Sequence, residues 1–157
     1  MSDESPSKTE GLYLEDLFVG QRFVSGTYEM TQERIIAFAS EYDPQYFHTD
    51  PERAKSSFFQ GLAASGWHTA AVSMKLLVEA FPLADGVIGG GMGELAWPQA
   101  TRPGDVLHVE VEITEIIPSR SKPNRAMVKY RNETKNQKGE IVQIACPLGV
   151  VHKRVRV

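Results

Sequence analysis

The stretch Asp43-Pro44-Gln45-Tyr46-Phe47-His48-Thr49-Asp50, followed by Phe59-Gln60-Gly61-Leu62-Ala63-Ala64-Ser65-Gly66-Trp67-His68 and the run to Phe81, decides how this chain is read. Residues Trp67 to Phe81 contain no proline or glycine, and Ala70, Ala71, Val72, Met74, Leu76, Leu77, Val78, Ala80 and Phe81 cover most of a helical circumference. A helix apolar nearly all round is expected to be buried. Ser65 supplies an N-cap and Pro82 a stop, which gives about 15 residues, or about 22 Å at 1.5 Å per residue. Its N-terminus follows directly on the polar cluster. The unpaired N–H groups and the positive end of the helix dipole can therefore face whatever that cluster handles.

Outward from this centre, the period of the apolar residues changes. On the N-terminal side, Gly20 to Met30 alternates as one strand, and Thr31 caps a short helix whose inward stripe is Ile35, Ile36, Phe38 and Ala39. Asp50-Pro51-Glu52 is a second helix start, with the acid at the cap and proline at the first helical position. On the C-terminal side, five glycines between Gly86 and Gly93 lead into Glu94-Leu95-Ala96-Trp97-Pro98. Leu107, Val109, Val111 and Ile113 then alternate with polar residues, as a strand with one covered face requires. Ala126, Val128 and Tyr130 form another strand, and Asn136-Gln137-Lys138-Gly139 turns into a last one, with Val142, Ile144, Cys146, Leu148 and Val150 inward. Pro147 cannot donate to a ladder, so this strand is expected at an edge or bulged there, and the apolar phase shifts near Val150-Val151. One strand, short helices, a long helix and about four strands make an α+β chain. A flat sheet touches only one side of a helix, so a strongly curved antiparallel sheet wrapped around it is expected. Its end strand invites extension across a dimer.

Composition narrows the function. The 157 residues suit one domain, residues 12–157, after a polar segment, residues 1–11, expected to be disordered. A net charge of -3 without a concentrated basic face excludes a dedicated nucleic-acid binder. The most apolar region is broken by Lys75 and Glu79, which excludes a membrane span, and the N-terminus lacks the apolar core of a secretory signal. One cysteine, Cys146, leaves no intramolecular disulfide, and the chain is read as cytoplasmic.

The tight turn at Pro44 lets Asp43 and His48 approach each other. A carboxylate and an imidazole that share a water can move a proton on and off it. Spacing alone also admits a bland reading, with Asp43 capping a turn, His48 a satisfied histidine and Asp50 an N-cap, and capping is the preferred role for Asp50. A metal site built from His48, His68 and the two carboxylates finds no fixed spacing, so no metal is expected. Ser65 lacks the flanking glycines of a nucleophile elbow and reads as a cap. Gly91 lies in a glycine run that leads into a strand, so it suits close backbone approach to a substrate or to the helix, not a phosphate cradle. Arg120 and Lys122 are open to two readings, a solvated hairpin loop or contacts to phosphates.

The run Asp43-x-Gln45-x-x-His48-x-Asp50, with Phe59-x-Gly61 to Thr69, resembles the MaoC-like dehydratases, hot-dog-fold relatives of the (R)-specific enoyl-CoA hydratases. Trp97-Pro98 to Val111, with Arg102-Pro103-Gly104-Asp105 inside it, is similar to the same family, and the resemblance spans Leu14 to His152. It implies a hot-dog fold and the hydration of a trans-2-enoyl thioester, or the reverse dehydration, at a site shared across a homodimer or higher oligomer. Coenzyme A is implied as part of the substrate, with no separate cofactor. The family's catalytic aspartate and histidine fall on Asp43 and His48, and its oxyanion-binding N–H falls on Gly66. Gln45-Tyr46 stands where the family often has Asn-Pro, and Ser65-Gly66 where it has His-Gly. These differences lie at the substrate, so Gln45, Ser65 and the adjoining Trp67 are expected to touch it. A non-catalytic acyl-CoA-binding domain and, behind it, a thioesterase are the alternatives.

Overall fold

The computed structural model describes residues 10–155. Most of the segment expected to be disordered lies outside these residues. At Gly11 the chain is already docked, because a Cβ there would stand 2.6 Å from the Ala84 Cα. Leu12 bonds Pro82 and Ala84 through its backbone.

Two three-residue strands, β1 (Arg22–Val24) and β2 (Tyr28–Met30), replace the single strand expected over Gly20 to Met30. Both pair with β4 (Asp105–Pro118), and the break has a local cause. The Ser25 hydroxyl, not a backbone carbonyl, accepts the Val109 N–H at 2.8 Å, so the ladder is interrupted there. Next, α1 (Gln32–Tyr42) starts at Thr31, whose side chain accepts the Arg34 N–H, and ends on Asp43. The short helices α2 (Tyr46–Thr49) and α3 (Pro51–Ala54) follow, the latter capped by Asp50 through the N–H groups of Glu52 and Arg53. The long helix α4 (Gly66–Ala80) opens on its Ser65 cap.

The rest of the sheet is β3 (Ile88–Ala96), β4, β5 (Arg125–Lys135) and β6 (Ile141–His152), in the antiparallel order β1-β4-β5-β6-β3 with β2 also on β4. The sheet curves around one face of α4. Val72, Leu76, Leu77 and Phe81 pack there with Leu107, Val109, Val111 and Ile113, and each fully buried side chain of this size contributes about 1.5–3 kcal/mol. The helix is not buried all round, however. One protomer's sheet covers a single side, and Trp67, Met74 and Val78 remain exposed at 59%, 44% and 48%.

Two further expectations are corrected. In β6 the covered residues are Gln143, Ala145, Pro147, Gly149 and Val151, while Ile144, Cys146, Leu148 and Val150 face the other way, half-buried. The phase slips at Val142, where the pairing with β5 jumps from Gln143 to Ile141, and not near Val150. Pro147 is not at an edge, since β6 lies between β5 and β3. The other alternative holds there: the β3–β6 ladder is irregular at Pro147, with the extra residue on β3 between Met92 and Leu95. The glycine run is itself part of β3 and forms the sheet's exposed edge. Among the described residues no helix is long and apolar enough to cross a membrane.

Candidate active site

The site forms where α1 ends. Asp43 closes α1 with its N–H on the Ala39 carbonyl, and one turn of α2 then presents His48 back toward it. His48 Nε2 stands 3.3 Å from Asp43 Oδ2, and both side chains are largely withdrawn from solvent. On its far side the ring contacts the Ala63 carbonyl at 2.6 Å through Nδ1. A carbonyl can only accept, so Nδ1 carries the proton and donates it. In the neutral ring Nε2 then offers a lone pair beside Asp43. Two acceptors so placed bind the hydrogens of one water, or share one proton.

Asp43 is held as an anion. Burial, the largest single influence, works against its charge, but hydrogen bonds from Ser65 and Gln45 and the neighbouring His48 together outweigh it, so its carboxyl lies below the ordinary 3.8. Gln45 Nε2 donates to Asp43 Oδ1 at 2.7 Å. Ser65, fully buried, also accepts the Trp67 N–H as the cap of α4.

The loop that carries Ala63 is fixed from below. Arg102 donates to the carbonyls of Phe59 at 2.5 Å, Gly61 at 3.1 Å and Leu62 at 3.2 Å, three residues just ahead of Ala63. The Ala63 and Ala64 N–H groups bond Phe47 and Thr101. The loop turns through Gln60 and Gly61 at φ 55 and 155, the second a conformation that suits glycine. Above it lies a cavity of about 270 Å³ lined by His48, Phe59, Gly66, Thr69, Trp97 and Val142. Gly66 is the first residue of α4, and no described group accepts its N–H, so that donor is free for a ligand.

The structure thus brings together Asp43, His48, Gly66, Gln45 and Ser65, although the polar groups of Gln45 and Ser65 are turned onto Asp43 and the helix cap. Trp67 and Gly91 line a separate cavity along α4. Arg120 and Lys122 sit exposed in the β4–β5 hairpin. Arg125, which closes that hairpin, pairs with His152 at the far end of β6 from Val142, so within one protomer the two basic residues stand away from the cavity. His68 is buried and stacked on Phe38 with centroids 4.5 Å apart, and burial, aided by the positive Arg34, lowers its pKa to about 4. Among the described residues no cluster of three or more His, Cys, Asp or Glu could hold a metal. Sequence reasoning gave no role to Arg102, Trp97 or Gln143. The first two lie in quoted motifs, but their partners are some 40 residues away and no local spacing points to them.

A curved antiparallel sheet around one long helix is the hot-dog fold, and here a carboxylate and an imidazole stand beside the N-terminal end of that helix. The sequence profile of the MaoC like domain matches residues 18–137, and the chain belongs to that family. It is 54% identical to a MaoC-like dehydratase from Rhodospirillum rubrum, with a TM-score of 0.91 over 93% of this chain and 100% of that one. Uncharacterized protein YdeM of Bacillus subtilis (strain 168) is 34% identical over 142 residues, 90% of this chain and 99% of its own length. The unliganded R-hydratase PhaJ1 from Pseudomonas aeruginosa shares the fold, at 24% identity and a TM-score of 0.73 over 94% and 92% of the two chains.

Proposed function

We propose that this protein hydrates a trans-2-enoyl-CoA, or dehydrates the corresponding 3-hydroxyacyl-CoA. The observation that carries the reading is the orientation of His48: Nδ1–H is spent on the Ala63 carbonyl, which leaves Nε2 beside the Asp43 carboxylate at 3.3 Å, placed so that the two can hold one water between them. Membership in the MaoC-like family and the relative named as a dehydratase support it.

In the hydration direction the water oxygen bonds to C3 of the enoyl group, and the pair takes one of the water protons. The electrons of the double bond move to C2 and the thioester oxygen. There the free Gly66 N–H and the positive end of α4 stabilise the developing charge. The pair then returns one proton to C2, so no side chain is consumed.

The working unit in this reading is a homodimer. Among the described residues the outer edge of β3 has no partner strand, and the exposed side of α4 carries the apolar stripe Trp67, Met74 and Val78 beside the Lys75–Glu79 ion pair; a second copy of the chain can cover the stripe and pair the edge. Because Arg120 and Lys122 stand away from the cavity of their own protomer, any contact they make with coenzyme A phosphates is across the dimer. A cytoplasmic setting is part of the proposal and rests on the lone thiol and the thioester chemistry.

The test is hydration of crotonyl-CoA, followed as loss of enoyl absorbance. Asp43→Asn and His48→Gln should each lower turnover by about 10²–10⁴-fold with the fold intact by circular dichroism, and the double variant should be little worse. Full activity in Asp43→Asn would refute the site. A wild type inactive on every enoyl-CoA, but able to bind acyl-CoA, would favour the non-catalytic reading.

A further inference from the structure

Two cavities of nearly equal size lie near one another, the first lined by the Trp97 indole and the second by the Trp67 and Gln143 side chains it touches. The first, of about 270 Å³, holds His48 and Gly66. The second, of about 260 Å³, runs along α4 between Met74, Leu77, Leu95 and Tyr130 and is mostly apolar. Neighbouring residues divide between them: Gly66 and Val142 line the first, Trp67 and Gln143 the second. Trp97 lines the first cavity, and its Nε1–H donates to Gln143 Oε1 at 2.9 Å. Its ring also meets Trp67 edge-on, with centroids 5.4 Å apart. The partition is therefore the Trp97 indole together with the two side chains it touches.

Three constraints hold the indole in place. It lies flat on the backbone of Gly66, where a Cβ would come within 2.7–2.9 Å of three ring atoms. Gln143 is only 3% exposed, so its amide oxygen has little water to replace the indole N–H and breaking the bond would strand a buried acceptor. The Trp67 ring, nearly perpendicular to the indole, packs against it on a third side. Beyond the partition, the second cavity is an apolar space whose outer wall, Trp67, Met74 and Met92, lies on the face the proposed dimer covers, so in the dimer the second copy would roof it and a longer chain would have to run beneath that roof.

We infer that Trp97, latched by Gln143, closes the acyl end of the catalytic cavity and restricts the substrate to short enoyl groups of the crotonyl class. The inference rests on the hydratase reading above and adds to it the substrate class and the residue that sets it. A cavity of about 270 Å³ falls just under the ~300–1,000 Å³ of pockets that enclose drug-sized ligands, and it must also hold the reacting water. A closed wall discriminates against added methylenes by clash, which is more effective than weaker attraction. Removing the indole would open the first space toward the second, which has a similar volume.

The experiment compares kcat and KM for crotonyl-CoA and trans-2-octenoyl-CoA in wild type, Trp97→Ala, Trp97→Phe and Gln143→Leu. Wild type should prefer crotonyl-CoA in kcat/KM by about 10²-fold or more. Trp97→Ala should cut that preference at least about tenfold, chiefly through a lower KM for octenoyl-CoA. Gln143→Leu and Trp97→Phe, which release the latch and keep a bulky wall, should move it the same way by less, and they carry the test if Trp97→Ala does not fold. Equal use of both substrates by wild type, or an unchanged preference in every folded variant, overturns the inference and leaves the hydratase reading standing. Calorimetric binding of butyryl-CoA and octanoyl-CoA separates the two claims. If wild type turns over no enoyl-CoA, butyryl preference that relaxes in the variants sustains the partition alone, and absence of binding to either ligand overturns both.

Discussion

Replacing Arg102 with methionine tests whether the site is held together from beneath. The guanidinium donates to three carbonyls, of Phe59, Gly61 and Leu62, in the loop that ends at Ala63. Hydrogen bonds to a charged donor contribute about 1.5–3 kcal/mol each, and methionine removes all three. Arg102 is half-buried, so water recovers part of the loss, and a net destabilisation of about 2–4 kcal/mol is expected. For a domain of this size that lowers the melting temperature by about 5–15 °C. The second effect reaches His48 through Ala63. If the loop moves, the Ala63 carbonyl leaves Nδ1, the ring no longer keeps one tautomer, and turnover falls about 10²-fold, as displacement of a catalytic group by an ångström can cause. Thermal unfolding, crotonyl-CoA turnover and nitrogen NMR of the His48 ring measure the three consequences, and Arg102→Lys should lie between the extremes because an ammonium cannot span three carbonyls. An unchanged melting temperature together with an unchanged His48 spectrum would refute the reasoning. Lower stability with the tautomer retained would reduce Arg102 to a purely structural tie.

His68 gives a pH signature of folding. Its ordinary pKa is 6.5 and its folded one about 4, so below pH 6.5 the unfolded chain takes up a proton that the folded chain refuses. Stability from this ring is complete above 6.5 and is lost progressively as pH falls toward 4; His68→Phe, which keeps a ring against Phe38, should flatten that slope in urea titrations. Gly66→Ala should cost about 1–3 kcal/mol in denaturant unfolding, since its Cβ must displace the Trp97 indole. Sedimentation at micromolar concentration should return twice the chain mass, and Val78→Asp on the exposed face of α4 should shift it toward the monomer; a stable, active wild-type monomer would rule out the dimer.

Legibility followed the range of the interactions. The alternation of Leu107, Val109, Val111 and Ile113 marked β4 correctly, and the caps at Thr31, Asp50 and Ser65 marked three helix starts, because both signals are local. The approach of His48 to Asp43 across a proline turn was visible for the same reason. What failed was set by distant partners. The exposed face of α4 depends on how far one sheet reaches, the facing of β6 on an extra residue at Val142, and the anchors of Trp97 and Arg102 on segments some 40 residues away. Arg120 and Lys122 stand away from the cavity of their own protomer, a placement the sequence did not show because nothing local tells which end of a strand will lie near the site.

The glycine-rich strand β3 bears on how copies of the chain would find each other. Among the described residues its outer edge has no partner strand, and its pairing with β6 breaks register twice, between Gly89 and Gly91 and between Met92 and Leu95. A smooth edge lets an incoming strand slide by two residues at little cost and recruit further strands without limit. Two irregularities spaced along nine residues act like the notches of a key: a neighbour offset by one step would meet donors where it needs acceptors. Recognition between copies can then be exacting even in a strand where four of nine residues are glycine, with the backbone itself carrying the pattern that separates orderly pairing from runaway stacking.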